Sequence, residues 1–484
     1  MIKAAFISNG YESLGIEFLS FALKKKGLDV DLFVDPSLFN ESGFWKINFL
    51  SKLFNYERSL LKEIKKYAPD IVCFSVFSDN YLWALKWAFV LKKEIPNLKV
   101  VFGGIHPTVL PYDVVKKENV DCVICGEGEE VVYEAILNLI GVSDEIPRGV
   151  LIKKEGKISG EAIPIITKKI DDYYPDKSIF YSKYSFYSKS YLTLTSRGCP
   201  FFCSYCANSF YHNLFKKSEY YRLRNPDNII YELETALSAY NYEAVHFTDE
   251  VFNVKKDFLK YLILEYRKKI SRPFSCYVYP DLVDEDTVKM LKDGGCVKVQ
   301  FGVQTYYEDK RRKVYNRFSS NSKIANAIKL FKKYDIFVVA DHIVDEETDE
   351  EEIKKLIDFY DENSFPDLAE VFFIRYYPGS KVLDYAFKKG IIKEEDIVKI
   401  KDGLIDGGII NTKDKKLLRY SQYIMLSSFL KAKTVKFMLK KKLLFSSNIF
   451  LRIFLRILKP IPFDFNTRQF VSRYFFFLKK FVFK

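Results

Sequence analysis

The chain has 484 residues, more than one hydrophobic core usually organises, so we expect two or three domains. Its apolar content is that of a globular protein, and the sequence contains no run of eighteen uncharged apolar residues that would predict a transmembrane helix. The net charge of +13 is confined to the tail: residues 431–484 hold fourteen Lys or Arg and one acidic residue, so residues 1–430 sum to zero. Nucleic acid is therefore not an expected partner.

Residues 1–147 alternate strand and helix patterns. The strand patterns are continuous apolar runs: Ile2–Ser8, Asp29–Val34, Asp70–Val76, Leu98–Phe102 and Val120–Cys125. Helical patterns cover Ser13–Lys26 and Asn80–Lys93, and an aromatic-rich stretch at residues 35–55 predicts an insertion over the ligand edge. Val/Ile-rich strands joined by helices predict a doubly wound, Rossmann-like parallel sheet, with ligands beyond the carboxyl ends of its strands.

Residues 148–190 form a predicted linker with a small hairpin around Glu155-Gly156. Strand–helix alternation then resumes over residues 191–400, and Asn225-Pro226 is typical of a helix start. The predicted strands are Tyr191–Thr195, Ala244–Thr248, Phe274–Tyr279, Val297–Val303, Ile336–Val344 and Val371–Tyr376. Six such units predict a partial (β/α)6 barrel with its chemistry at the C-terminal mouth. Residues 401–484 are predicted to be a helical, basic region.

Three cysteines follow the first barrel strand with the spacing Cys-x3-Cys-x2-Cys: Cys199, Cys203 and Cys206. Three thiolates this close can hold three irons of a 4Fe–4S cluster, which leaves the fourth iron open to a small molecule. The alternatives are a zinc site, with His212 as the fourth ligand, and a disulfide. The absence of a signal-peptide pattern and the odd number of cysteines in the loop favour a reducing cytoplasm over a disulfide.

The remaining five cysteines lie in apolar, strand-like runs, and we interpret them as small core residues: Cys73, Cys122, Cys125, Cys276 and Cys296. A non-catalytic cluster protein is a further alternative for the three-cysteine loop, and it predicts no cleavage chemistry.

The cysteine spacing resembles the signature of the radical S-adenosylmethionine (SAM) superfamily, and the resemblance covers about residues 190–390. It implies that SAM chelates the open iron and that one electron, from a reductant such as flavodoxin or ferredoxin, cleaves SAM into methionine and a 5′-deoxyadenosyl radical. By the same resemblance, SAM contacts are expected at strand ends and beside the third cysteine: Tyr205, Asp249, Glu250, Gln304 and Arg317. Arg317 suits the SAM carboxylate because a guanidinium donates two parallel hydrogen bonds.

One segment departs from the family pattern. The segment Asp341–Thr348 lacks the family's Gly-x-Pro-Gly portion after the fifth strand, so we expect a shorter and more acidic loop there. His342 in this segment is interpreted as a hydrogen-bonded core histidine, with a substrate-site base as the alternative.

The N-terminal half resembles the cobalamin-binding domain found before many radical SAM domains. The resemblance rests on Glu12–Gly15, Gly103–Thr108 and Gly126–Glu129, and it covers about residues 1–140. Cobalamin contacts are expected at these strand ends: Asn9, Gly10, Glu12, Gly15, Ser75, Gly103, Gly104 and Glu127. The Asp-x-His-x-x-Gly motif is missing, so either cobalt lacks a histidine of that motif or the domain has lost its cofactor.

This architecture implies cobalamin-dependent methylation of an unactivated carbon in a small-molecule or lipid-like substrate. The first alternative is a radical SAM cyclase or rearrangement enzyme with a vestigial cobalamin domain. The second is an RNA-modifying methylthiotransferase, but that class has three extra cluster cysteines and a β-rich end, which the strand-like Cys73, Cys122 and Cys125 and the helical tail do not match.

The tail offers two interpretations. Arg452, Arg456 and Lys459 share one face of an otherwise apolar helical pattern, which is typical of an anchor at the inner, anionic face of a membrane. The alternative is a helix packed on the barrel with a solvated basic edge.

Overall fold

The computed structural model describes residues 1–40, 47–404, 414–443, 451, 454–455 and 465–482. It confirms the predicted fold class: two parallel-rich sheets follow each other along the chain, and helices form the C-terminal region.

The N-terminal sheet has the strand order β2-β1-β3-β4-β5-β6-β7. Its strands are β1 Lys3–Ser8, β2 Asp29–Val34, β3 Ile71–Ser75, β4 Lys99–Gly103, β5 Cys122–Ile124, β6 Val150–Lys154 and β7 Lys157–Gly160. The first five are parallel, while β6 and β7 add an antiparallel edge. The hairpin predicted around Glu155-Gly156 is therefore this β6–β7 pair, and it extends the N-terminal sheet.

Helices cover the N-terminal sheet on both faces. They are α1 Leu14–Lys25, α2 Asn48–Leu53, α3 Glu57–Tyr67, α4 Tyr81–Glu94, α5 Ile105–Val109, α6 Pro111–Val115 and α7 Val132–Leu139, and α8 Ser178–Tyr181 follows in the linker. The Ser13 hydroxyl caps α1 by accepting from the Ile16 amide. A parallel sheet buried on both faces explains the unbroken apolar runs in its strands.

The second sheet is a six-stranded, all-parallel partial barrel with the order β15-β14-β13-β12-β11-β8. Its strands are β8 Ser190–Thr193, β11 Ala244–Phe247, β12 Phe274–Tyr277, β13 Cys296–Gln304, β14 Phe337–Val344 and β15 Leu368–Phe373, while β9 Ser196–Arg197 and β10 Arg222–Leu223 form a separate pair. Its helices are α9 Asn208–Tyr211, α10 Lys217–Tyr220, α11 Pro226–Tyr240, α12 Lys256–Lys269, α13 Glu285–Asp293, α14 Glu308–Lys313, α15 Asn321–Lys333, α16 Glu350–Asn363, α17 Lys381–Lys388 and α18 Glu394–Lys401. Asn225 caps α11 as predicted, since its side chain accepts from the Asp227 amide at 2.8 Å.

The C-terminal helices pack on both domains. They are α19 Lys415–Ser427, α20 Ala432–Lys440 and α21 Phe465–Val482. Helix α19 lies against β15 and α16. Helix α21 lies on the N-terminal domain, where the Gln469 amide donates to Glu12 at 2.8 Å and Phe477 is 2% exposed.

The described helices of the tail thus pack on the rest of the protein, and α21 packs on the N-terminal domain. Arg452, Arg456 and Lys459, on which the predicted amphipathic face rests, lie outside the described residues. Among the described helices, none is long and apolar enough to cross a membrane.

Candidate active site

The three cysteines of the loop border one cavity of about 220 Å³ at the C-terminal mouth of the barrel. Cys199 and Cys203 are buried and Cys206 is partly buried. The loop is held at two points: the Ser204 amide donates to the Tyr315 carbonyl at 3.0 Å, and Gly198 adopts a φ of +76° in which a side chain would collide with the Tyr220 backbone. Contacts before the first cysteine and between the second and third therefore help to fix where the thiols lie.

Polar side chains approach the thiols. The Arg317 guanidinium lies 3.8 Å from the Cys203 sulfur, and the Asn208 amide donates to the Cys206 sulfur at 3.3 Å. Arg317 is buried, and its Nε has no hydrogen-bond partner among the residues that the structure describes. Three thiols with a buried cation and a spare donor fit an iron–sulfur cluster together with an anionic ligand.

Burial raises the pKa of the Cys199 thiol and raises the pKa of Cys206 to about 12. Without metal, these thiols are therefore protonated at neutral pH, and metal binding must release their protons.

The geometry does not favour zinc. Among the described residues, no group of three or more His, Cys, Asp or Glu is arranged around a single metal ion. His212, the candidate fourth ligand, has its Nε2 2.9 Å from the Phe201 carbonyl and its ring stacked on Phe202. A cluster makes a different demand, because each thiolate binds a different iron and the sulfurs need only surround a common volume.

Four of the five predicted SAM residues border the cluster cavity: Tyr205, Glu250, Gln304 and Arg317. Gln304 ends β13 at a register irregularity and has a φ of +68°. The guanidinium of Arg317 also covers the Tyr279 ring at 4.4 Å. Their roles toward SAM remain predictions.

Asp249 lies elsewhere. Its carboxylate accepts from the Thr195 amide at 2.9 Å, the Thr195 hydroxyl at 2.7 Å and the Ser196 hydroxyl at 2.5 Å. These bonds tie the end of β11 to the start of the cysteine loop, and burial raises the pKa of Asp249 despite them. Asp249 borders the neighbouring large cavity rather than the cluster cavity, so this geometry indicates that it positions the loop.

Two further polar residues border the cluster cavity, Gln300 and Asp341, and the sequence analysis did not predict either as a site residue. The Gln300 amide donates to Asp341 at 2.9 Å, and burial raises the pKa of Asp341 to about 7. A signal for Gln300 was present in β13, where positions 298, 300, 302 and 304 are polar or glycine and alternate with Val or Phe. In a parallel strand with apolar helices outside, polar residues at period two indicate a polar barrel interior.

A larger cavity of about 430 Å³ lies between the carboxyl edge of the N-terminal sheet and the mouth of the barrel. Phe18 of α1, Val132 of α7 and Ile124 of β5 form part of its apolar wall. Five predicted cobalamin residues border it: Gly15, Ser75, Gly103, Gly104 and Glu127. Small residues around an apolar hollow fit a large, flat ring, so the cavity suits a corrin.

The other three predicted cobalamin residues, Asn9, Gly10 and Glu12, do not border this cavity. Glu12 accepts from Lys177 at 2.8 Å, and a side chain at Gly10 would collide with Arg473 of α21. The C-terminal helix therefore covers the first loop of the domain, which the local sequence could not indicate. Cobalamin contacts by these eight residues remain a prediction.

Glu127 and Glu129 reach across to the cysteine loop. Glu127 pairs with Arg222 at 2.6 Å and with Arg197 at 3.1 Å, and Glu129 pairs with Arg197 at 2.7 Å. These ion pairs are largely buried, so they fix the large cavity relative to the cluster loop.

The histidines lie away from the large cavity, since none of its described lining residues is a histidine. His342 is a hydrogen-bonded core residue, as expected: its Nε2 lies 2.7 Å from the Tyr360 hydroxyl. Cys122 and Cys125 are fully buried, which agrees with their interpretation as core residues.

A third cavity of about 290 Å³ adjoins the cluster cavity, and Tyr205, Gln304 and Asp341 border both. The rest of its lining combines apolar and charged side chains from β14, β15, the loop after β15 and the N-terminal domain: Ile343, Phe372, Phe373, Ile374, Arg375, Tyr377 and Asp79.

Comparison with known families agrees with this division of the chain. Residues 5–136 match the model of the B12 binding domain, and residues 193–360 match that of the radical SAM superfamily.

Over the aligned residues, these curated relatives are about a quarter identical to the chain. An uncharacterized methyltransferase of Pyrococcus horikoshii is 26% identical, over 69% of this chain and 72% of that protein. An anaerobic magnesium-protoporphyrin IX monomethyl ester cyclase of Cereibacter sphaeroides is 26% identical over 64% of this chain and 52% of the cyclase. The hopanoid C-3 methylase of Methylococcus capsulatus is 26% identical over 40% of this chain and 36% of the methylase.

Two solved structures share the fold. The cobalamin-dependent SAM radical enzyme OxsB superposes with a TM-score of 0.65 at 13% identity, covering 98% of this chain and 72% of OxsB. The radical SAM methyltransferase TsrM of Kitasatospora setae gives a TM-score of 0.63 at 15% identity, covering 80% of this chain and 76% of TsrM.

Proposed function

Because the chain is a radical SAM enzyme with an N-terminal cobalamin-binding domain, we propose that it methylates an unactivated carbon of a small-molecule or lipid-like substrate. The observation that carries this proposal is the adjacency of three cavities. Glu250 borders the large cavity and the cluster cavity, while Tyr205, Gln304 and Asp341 border the cluster cavity and the third cavity. The loop after β3 completes the set, with Phe77 at the large cavity and Asp79 at the third.

Each cavity has a distinct task in this proposal. The cysteines would hold the cluster, and Arg317 would bind the SAM carboxylate beside it. When bound, the cluster supplies the electron that cleaves SAM and cobalamin supplies the methyl group. The third cavity would hold the substrate, with Tyr205 and Gln304 between it and SAM.

The relatives support methylation, since one is a methyltransferase and another a hopanoid methylase. The third cavity's wall of Ile343, Phe372, Phe373 and Ile374 would suit a lipid-like or polycyclic substrate. The cyclase relative keeps the alternative of a cyclase or rearrangement enzyme with a vestigial cobalamin domain.

Trideuteromethyl-labelled SAM distinguishes these alternatives. The protein is reconstituted anaerobically with iron, sulfide and hydroxocobalamin, then reduced and incubated with the labelled SAM. We expect 5′-deoxyadenosine in solution and a trideuteromethyl group on the bound corrin, both measured by mass spectrometry. Formation of 5′-deoxyadenosine with no corrin retained or labelled would favour the alternative.

We also propose that the enzyme works in a reducing cytoplasm at an anionic membrane surface, reached through α2 and α21. All eight cysteines are free, which suits a reducing compartment. The end of α2 touches α21 through Phe54, which directly follows α2, and Phe481, whose ring centroids are 5.1 Å apart. Outward-facing apolar side chains lie on both helices: Phe49 is 75% exposed on α2, and Phe475 is 71% exposed on α21. Exposed aromatics beside a basic segment are typical of peripheral binding to anionic lipid.

Sedimentation with vesicles tests the membrane proposal. Phosphatidylglycerol vesicles should bind the protein better than phosphatidylcholine vesicles, and less well as salt rises. Phe475→Glu should reduce binding, while Phe89→Glu, at an exposed position on α4, should not. Deleting everything after residue 430 is a poor test because it also removes the buried residues Val435, Leu439 and Phe477. Equal sedimentation of all variants with both vesicle types would contradict the proposal.

A further inference from the structure

The third cavity has different polar groups at its two ends. Asp341 borders it on the side shared with the cluster cavity, while Arg375 lies on the loop after β15 beside Asp79 of the N-terminal domain. Between them the wall is aliphatic and aromatic. A molecule bound here would therefore meet the Asp341 carboxyl group near the SAM site and the Arg375–Asp79 ion pair at the far end.

Arg375 is held by the other domain. Its guanidinium forms an ion pair with the Asp79 carboxylate and lies 3.3 Å from the Tyr377 hydroxyl, which donates to Asp79 at 3.1 Å. Its Nε is buried and has no hydrogen-bond partner among the described residues. The cation thus retains an unused donor inside the structure.

The two members of the pair differ in their access to water. The Arg375 side chain is 17% exposed, whereas that of Asp79 is 41% exposed. If the pair opens, Asp79 can be rehydrated at little cost, but Arg375 would remain largely desolvated without a counterion. The exchange of Asp79 for another anion is therefore easier than the loss of Asp79 alone.

We propose that Arg375 binds an anionic group of the substrate, a carboxylate or a phosphate, and that Asp79 occupies this position when no substrate is bound. This inference rests on the proposed function, since it takes the third cavity as the substrate site. The anionic group lies at the Arg375 end, which directs the opposite, less polar end of the substrate toward Tyr205 and the SAM site. The substrate class is thus an amphipathic acid with an apolar reacting end.

Binding of short amphiphiles to the reconstituted protein tests the assignment without requiring turnover. Radiolabelled octanoate is measured by equilibrium dialysis, with octyl phosphate and octanol as competitors. Octanoate should bind and octanol should compete poorly; the relative potency of octyl phosphate separates phosphate from carboxylate recognition. Arg375→Gln should weaken octanoate binding about tenfold or more, as expected for a lost charged hydrogen bond.

The matched variants separate ligand recognition from a purely structural latch. Asp79→Asn removes the competing charge and should strengthen octanoate binding several-fold. If the Arg375–Asp79 pair only held the two domains together, Arg375→Gln and Asp79→Asn would instead change octanoate binding in the same direction. Arg375→Lys should retain more affinity than Arg375→Gln, and Arg267→Gln, at an exposed position on α12, should bind like the wild type.

Equal affinity for octanoate and octanol, the absence of measurable octanoate binding, or weaker binding by Asp79→Asn would overturn the assignment. The readout here is octanoate binding. If octanoate binds but the corrin carries no trideuteromethyl group in the labelled-SAM experiment, that result counts against the proposed function and not against the anion site.

Discussion

The two parallel sheets present their carboxyl edges to one another, but the edges are built differently. At the barrel mouth, four of the five predicted SAM residues border the same cavity as the three cysteines. At the N-terminal edge, five of the eight predicted cobalamin residues border the large cavity, and the first loop is instead occupied by Lys177 of the linker and Arg473 of α21. The barrel edge is shaped by its own loops, whereas the N-terminal edge is shaped in part by distant segments of the chain.

This difference shows what each kind of motif can indicate. The cysteine loop follows its strand directly, so its residues and their place in the fold are encoded together. The small residues of the N-terminal domain indicate only that the backbone can be approached closely. Gly104 illustrates the limit, because its φ of +99° and the contact with the Val76 backbone already require glycine without any ligand.

The comparison is tested most severely by removing the thiols of the barrel mouth. The triple variant Cys199→Ala, Cys203→Ala, Cys206→Ala should lose all cluster iron and all SAM cleavage, because no other thiol borders that cavity among its described lining residues. Iron and sulfide analysis and a 5′-deoxyadenosine assay measure the two losses. Cys276→Ala, at a buried position in β12, is the control and should keep the cluster. A full iron complement in the triple variant would refute the cluster assignment.

A smaller change at the same mouth concerns Arg317. Arg317→Gln should weaken SAM binding about tenfold to a hundredfold, since a hydrogen bond to a charged group contributes about 1.5–3 kcal/mol. The cluster itself should assemble, so SAM binding is measured by equilibrium dialysis on protein of matched iron content. Arg312→Gln, at an exposed position in α14, is the matched control. Unchanged SAM affinity in Arg317→Gln would remove Arg317 from the site.

Most of the fold could be predicted because strand and helix patterns are local. The strand Asp29–Val34 has the predicted bounds, and α1 differs from its predicted segment by one residue at each end. Site residues at strand ends could likewise be predicted from the sequence, since every βα loop of a parallel sheet lies at the same edge.

The remainder depends on contacts between distant segments. Asp249 was expected at SAM, but Thr195 and Ser196 occupy its carboxylate, and only packing decides which neighbour a buried acid meets. Asp341 was noted only for its unusual loop, because a single acid in a strand does not reveal which way it faces. The cover of Gly10 by α21 joins positions more than 450 residues apart and left no local signal.

The N-terminal edge can be tested at Gly15, which borders the large cavity and has local space for a side chain. Gly15→Leu should reduce hydroxocobalamin uptake about tenfold by filling the cavity, while leucine in α1 preserves or improves helix stability. The absorption spectrum of bound corrin gives the stoichiometry, and in the wild type it should lack histidine ligation. Lys25→Leu, an exposed position in the same helix, should bind like the wild type. Gly104 is a poor site for this test, since any side chain there disturbs the backbone; undiminished uptake by Gly15→Leu would place the cofactor elsewhere.

The smallest expected effect concerns the pH dependence of stability at the barrel mouth. Burial raises the pKa of Asp341 to about 7, whereas an aspartate in the unfolded chain titrates near 4. Between these values the folded state binds more protons than the unfolded state, so the free energy of unfolding falls as pH rises, by up to about 1.4 kcal/mol per pH unit. Asp341→Asn should remove this decline, so its free energy of unfolding should rise relative to that of the wild type from pH 5.5 to pH 7, and the difference should then level off.

Denaturant unfolding of the cluster-free protein, followed by circular dichroism, measures this difference in free energy of unfolding. Asp309→Asn, at an exposed position, is the control and should reproduce the wild-type profile. Parallel profiles for the wild type and Asp341→Asn would show that Asp341 is ionised in the folded protein, and the acidic end of the third cavity would then carry a full negative charge at neutral pH.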